Sequence, residues 1–293
     1  MNLVSKFFFM PSQSKINKFT SYLICLLPLA LISGPFLPDL IVSIVALIFL
    51  FFSLYNRETE YYKEKYVLIF ILFYLVLLSS SVLSDHKIHS LESSLFYFRF
   101  GLFSLATYYF LNKNKSLFFN FYLACVSSIV ICVVHGYIYY FFEISLFNII
   151  SSDNLRMTLP FNDKMYLGGF LAKTIPLTLA LHYYLNLKNR NFNFFVIVVL
   201  FLSSSLIYLS GERTAIAQFL IFLLFIFIFL KNIRISLIFF SVFLFVSLAI
   251  FSITNKEILD RNIYTSYSQL FNSEKGNINL FSEIHESHIK GAY

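Results

Sequence analysis

An acid and a guanidinium stand side by side, Glu212-Arg213, between apolar stretches in "YLSGERTAIAQFLIFLLF" from Tyr208 to Phe225. Arg carries a permanent charge on a planar fork of donors that matches phosphate and carboxylate oxygens. Two readings follow. Arg213 is an anchor whose charge snorkels to lipid headgroups, with Glu212 as a solvated neighbour. Or it is a fixed guanidinium facing an anionic substrate, at the start of a helix whose N-terminal end adds a favourable partial charge for phosphate.

The segment "DNLRMTLPFNDKMYLGGFLAKTIPLTLAL", Asp153 to Leu181, holds a second set of such groups. Arg156 falls in a polar connection. Lys173 falls within an apolar run, about a third of the way from its end, where an unpaired ammonium costs several kcal/mol. It either snorkels outward or lines a polar cavity, and in the second case Arg156, Lys173 and Arg213 make one electropositive pocket. Arg99 is a fourth possible member. Gly168-Gly169 allow close helix contact or a bend nearby.

His285 and His288 in "HESH" stand at i,i+3, one helical turn apart. Such a pair serves as surface histidines or in acid–base or substrate-positioning chemistry. No third ligand at metal-binding spacing and no His-Glu-x-x-His order accompany them, so no metal is expected. The chain shows no Gly-rich phosphate loop, no nicotinamide or flavin fingerprint and no nucleophile elbow. Cys25, Cys125 and Cys132 lie in apolar segments without a disulfide or metal pattern and read as small buried hydrophobes.

The elements that must carry these groups are set by composition. Of 293 residues 58% are hydrophobic and 13% charged, and mean hydropathy is +0.75. An ordinary soluble domain is about one-quarter charged. Apolar runs near bilayer length define an all-α polytopic integral membrane protein with about nine transmembrane helices, near residues 19–34, 38–55, 66–83, 94–111, 117–140, 167–184, 193–209, 214–230 and 235–253. Pro28 and Gly34-Pro35 leave the first of these as a full span or as half of a hairpin with the second.

Lys6, Lys15 and Lys18 precede the first run. Arg57, Lys63 and Lys65 follow the second, Lys113 and Lys115 the fourth, Lys188 and Arg190 the sixth, and Lys231 and Arg234 the eighth. In a nine-span topology all twelve fall on one side, which the positive-inside rule makes cytoplasmic, together with the N-terminus. The net charge of +7 therefore needs no nucleic-acid partner. Arg156, Arg213 and the His86/His89 connection fall on the opposite side, so any chemistry faces outward. Residues 1–254 read as one transmembrane domain, and residues 255–293 as the beginning of an incomplete extracytoplasmic loop, with Ser282 able to cap a short helix.

The stretch "YLSGERTAIAQFLI" resembles the Ser-Gly-x-Arg-[Ser/Thr] signature of the O-antigen ligase and O-antigen polymerase superfamily of bacterial envelopes. "RMTLPFNDKMYLGGFLAKTIPLTLAL" is similar to that family's Arg-x-x-Gly-x-Phe-x-[Asn/Asp] region, with Arg156, Phe161, Asn162 or Asp163, and Gly168 in comparable places. It departs at Leu159-Pro160, where a Gly-containing turn is common. "FSEIHESHIKGAY" resembles the start of the family's large outer loop. The resemblance implies a partial GT-C-like membrane fold in the bacterial inner membrane, with Arg213 and Arg156 contacting a substrate diphosphate; the reading of the charged residues adds Lys173 to that contact and Arg99, Glu212 and Asp163 as possible supporting groups. The resemblance further implies no cofactor and no metal.

The activity implied is transfer of a glycan from undecaprenyl diphosphate to lipid A–core, or in the polymerase case to a second lipid-linked glycan. An acceptor hydroxyl attacks the anomeric carbon with inversion, and basic groups stabilise the departing diphosphate. The family's outer-loop His motif, followed by Gly-x-x-Gly, is absent, so its role does not transfer to His285 or His288. Relatives carry more spans, which makes a truncated or split product the expectation. Such a piece could retain part of the diphosphate site and still be inactive. The rivals are a transporter for an anionic solute and a non-catalytic accessory or remnant membrane protein.

Overall fold

The computed structural model describes residues 13–142, 157, 160, 166–185, 190–231, 234–254, 259, 260, 264 and 267. These are helical almost throughout, with no strand among them. The helices are α1 (Gln13–Leu31), α2 (Phe36–Tyr55), α3 (Lys65–Leu83), α4 (Lys87–Leu95), α5 (Phe98–Lys113), α6 (Ser116–Phe142), α7 (Leu167–Tyr184), α8 (Arg190–Leu209), α9 (Arg213–Phe229) and α10 (Arg234–Thr254). Helix formation follows from the apolar runs, because only a helix satisfies its backbone groups locally in apolar surroundings. Buried or half-buried hydroxyls are handled the same way. Thr20, Thr174 and Thr178 each donate to the carbonyl four residues back, at 2.9, 2.6 and 2.8 Å.

Among the described residues three helices, α2, α3 and α6, are long and apolar enough to cross a membrane. At 1.5 Å per residue they measure roughly 30 Å or more, the thickness of a bilayer's hydrocarbon core. Shorter apolar helical stretches cover Val196–Leu209, Arg213–Phe229 and Leu237–Ile253.

The chain forms two compact units, Met1–Cys125 and Val126–Tyr293, divided within α6. In the first, α1 pairs with α2 across residues 32–35, and α2 packs on α5. Its core joins Val45 and Phe49 of α2 with Ala106, Tyr109 and Phe110 of α5 and Leu117 of α6. Phe49 and Tyr109 meet edge to face at 5.5 Å, the geometry their ring quadrupoles favour.

The expected helix at 94–111 is α5, which starts later, at Phe98, and residues 94–95 belong to a separate short helix, α4. α4 stops at Leu95 and α5 starts at Phe98, and i→i+3 bonds run from Tyr97 N to Ser94 O and from Phe100 N to Tyr97 O at 3.1 Å each. The tighter turn diverts the backbone, and the Tyr74 hydroxyl on α3 donates to the Leu95 carbonyl at 2.8 Å. α2 ends in a Schellman motif, with Glu58 N donating to Ser53 O at 3.0 Å and Arg57 N to Leu54 O at 3.4 Å. Arg57 takes the left-handed position there, at φ 55°.

In the second unit α7 packs against α8 and α9, and α8 against α10. Leu167, Leu171 and Ile175 of α7, Leu206 and Ile207 of α8 and Ala215 of α9 are buried. Tyr208 and Ser252 share a hydrogen bond of 2.6 Å between α8 and α10.

Candidate functional site

The Ser210-Gly211-Glu212-Arg213 turn joins α8 to α9. Ser210 N donates to Leu206 O at 2.8 Å and Gly211 N to Tyr208 O at 3.3 Å, which closes the end of α8. Gly211 has φ 69°, a left-handed conformation that glycine takes without a Cβ penalty. Ser210 Oγ donates to Ile207 O at 2.8 Å and accepts from Glu212 N at 3.4 Å. Ser210, Gly211 and Glu212 are all buried.

Glu212 is the N-cap of α9, yet its side chain does not cap that helix. Its carboxylate instead reaches the start of α7, accepting Gly168 N–H at Oε1 (2.7 Å) and Gly169 N–H at Oε2 (3.0 Å). The first N–H groups of a helix have no intrahelical acceptor, and a carboxylate there also opposes the positive end of the helix dipole. The residue in the N-cap position of α7, Tyr166, makes no side-chain cap bond. Glu212 therefore caps α7 from another helix.

The two glycines leave room for this close approach. A Cβ on Gly168 would lie 2.2 Å from Ser210 Oγ. One on Gly169 would lie 2.6 Å from the Tyr166 ring and 3.1 Å from Glu212 Oε2. The Tyr166 ring and the Glu212 carboxylate thus flank the same point above Gly169. Met157, buried, donates its N–H to Ser210 O at 3.4 Å and brings the chain just after Arg156 to the same turn.

Lys173, exposed on α7, hydrogen-bonds the Tyr166 hydroxyl and stands over that ring, 5.0 Å from its centroid. Its ammonium reaches toward the head of its own helix. Arg213, half-buried, is the first residue of α9. A cation is disfavoured there by the dipole of its own helix.

The structure thus gathers Glu212, Arg213 and Lys173 around the heads of α7 and α9. Arg99 belongs to the other unit, where it bonds Asp39 at 2.7 Å and stacks on Phe100 at 5.1 Å. Arg156, Asp163, His285 and His288 lie outside the described residues. Tyr166 and Ser210 are the members that sequence reasoning passed over. Ser210 lay inside the quoted motif, whereas nothing local marks Tyr166. Among the described residues no group of three His, Cys, Asp or Glu side chains is placed to hold a metal ion.

Together these observations define a helical protein with three membrane-competent helices among the described residues and, apart from them, a capped, cation-bearing junction between α7 and α9. No protein-family model, curated protein or solved structure matches the chain.

Proposed function

We propose that the chain acts on a glycan carried by undecaprenyl diphosphate, as an O-antigen ligase-like membrane glycosyltransferase that delivers the glycan to lipid A–core. In this reading about nine helices cross the inner membrane, the N-terminus is cytoplasmic, and the α7–α9 junction faces outward. The supporting observation is that Glu212 caps the head of α7 and that Arg213 and Lys173 stand at the same junction. Arg213 supplies the rigid fork for diphosphate oxygens, and Lys173, steered by Tyr166, supplies a second charge. Both stabilise charge that grows on the diphosphate as the anomeric bond breaks. Glu212 is a positioning residue in this scheme, since both its oxygens are engaged by Gly168 and Gly169.

The test is complementation. The full chain is expressed in one strain lacking its O-antigen ligase and in another lacking its polymerase, and the lipopolysaccharide is resolved by electrophoresis. Capping of lipid A–core in the first strain, lost in Arg213→Ala and reduced in Lys173→Ala, supports the ligase reading. Longer glycans in the second strain alone make the acceptor a second lipid-linked glycan. Failure in both, with the protein present in the membrane, overturns transferase activity.

A further inference from the structure

A cavity of about 690 Å³ lies in the first unit between α3 and α5, bounded by Tyr62, Tyr66, Phe70, Tyr74, Phe98 and Ser104 among others. That volume is within the range of sites for small ligands, about 300–1,000 Å³. Its walls are aromatic and aliphatic. Two of its hydroxyls are engaged elsewhere, Tyr62 with Ser53 at 2.6 Å and Tyr74 with the Leu95 carbonyl at 2.8 Å. Such a cavity offers a ligand dispersion contacts and almost no hydrogen bonds, which selects a hydrocarbon chain. α3 supports this: it is apolar along its length and Ser81 alone among its side chains is buried, so its surroundings in a bilayer are lipid.

One end of the cavity has a polar character of its own. Tyr62 and Tyr66, which line it, bracket Lys63 and Lys65 at the start of α3, and both lysines are exposed. The Tyr66 ring meets Tyr108 of α5 at 6.2 Å and Lys113 bonds Glu58 at 3.0 Å, so the connection before α3 and the end of α5 are together. Lys113 neutralises Glu58. The same end then presents Arg57, Lys63, Lys65 and Lys115 against Glu60 and Glu64, all exposed. Arg57 occupies a left-handed position, φ 55°, where glycine would be free of strain.

We propose that this cavity holds one chain of an anionic phospholipid whose phosphate rests at the Lys63–Lys65 end. The apolar walls take the chain, and the basic residues with the positive end of the α3 dipole take the headgroup. This site is independent of the proposed glycan chemistry and requires only that α3 stand in a bilayer.

The experiment uses the full chain, purified and delipidated in a neutral detergent, then titrated with phosphatidylglycerol or phosphatidylcholine. Retained lipid is read by native mass spectrometry, and the unfolding midpoint by differential scanning fluorimetry. One phosphatidylglycerol is expected to stay bound and raise the midpoint more than phosphatidylcholine does. The double substitution Lys63→Ala/Lys65→Ala should weaken phosphatidylglycerol about thirtyfold, at about fivefold per surface charge, and leave phosphatidylcholine unchanged. Ser104→Phe, at an exposed lining position, should abolish retention of both, and Ser104→Leu serves if the larger side chain prevents accumulation. Equal binding of the two lipids, indifferent to the lysines, would reduce the site to ordinary lipid solvation and overturn the proposal. So would retention undiminished in both Ser104 variants, or a midpoint that inorganic phosphate raises as much as phosphatidylglycerol does.

Discussion

The Glu212 carboxylate accepts the Gly168 N–H at 2.7 Å and so joins the head of α9 to the head of α7 across 44 residues of sequence. A buried acid in an apolar bundle is tolerated only when its oxygens are satisfied. Here two backbone N–H groups satisfy it, and it supplies the acceptor that the start of α7 lacks.

Glu212→Ala leaves those donors buried and unpaired. It should lower the stability of the second unit by about 2 kcal/mol, the scale of a lost helix cap combined with a charge-assisted bond. Glu212→Gln retains one acceptor oxygen and should cost about half as much. Chemical denaturation in detergent, followed by circular dichroism, measures both; an alanine variant as stable as the parent would remove the capping role.

Gly168→Ala places a Cβ 2.2 Å from Ser210 Oγ, and overpacking of this kind costs about 1–3 kcal/mol. Combining it with Ser210→Ala removes the clashing oxygen while the Ser210 Cβ, at 3.1 Å, stays tight. The double variant should therefore be more stable than the two single losses added together. Strict additivity in the double-mutant cycle would mean that the two residues do not touch.

Arg57 closes the Schellman motif of α2 in a left-handed conformation that costs an L-residue roughly 1–2 kcal/mol. Arg57→Gly should raise the unfolding midpoint of the first unit, with a net gain of up to about 1 kcal/mol once the greater freedom of unfolded glycine is subtracted. A lower midpoint in that variant would show that the Arg57 side chain contributes more than its backbone costs.

The alkaline limit of the first unit should be set at the Glu58–Lys113 contact. Burial alone would lower the Lys113 pKa, but bonds to Tyr109 and Glu58 outweigh it and hold the ammonium above its ordinary value of 10.5. Burial likewise raises the Tyr61 phenol beside it. A group whose pKa is higher in the folded state contributes stability fully below its unfolded value and loses it as pH rises through the folded one. Stability should thus hold from neutrality to about pH 10 and fall above it, and Lys113→Met should flatten that fall. An alkaline limb unchanged in Lys113→Met would place the titrating group elsewhere.

Much of the helical framework could be read in advance. α2, α3 and α6 follow from unbroken apolar runs, and the end of α1 from Gly34-Pro35, because helix formation in such segments depends on neighbours three and four residues away. The junction between α4 and α5 was not readable in the same way. No Pro or Gly marks residues 94–98, and the carbonyl freed at Leu95 is satisfied by Tyr74, 21 residues earlier. Lys173 was legible as an anomaly but not as a contact, since nothing in its apolar run signals the bond to Tyr166.

By itself the sequence determined that this is a helical chain with helices fit for a bilayer and twelve of its 22 basic residues at or near the ends of apolar runs, since hydropathy and charge belong to each segment alone. Tertiary structure alone decided that Glu212 caps α7 and that Gly168 and Gly169 face the Ser210 turn. The same is true of Arg99, which turns to Asp39 in the first unit, and of the open cavity between α3 and α5. Each of these requires two segments remote in sequence to meet within hydrogen-bond or van der Waals distance, and no local pattern encodes which segments those are.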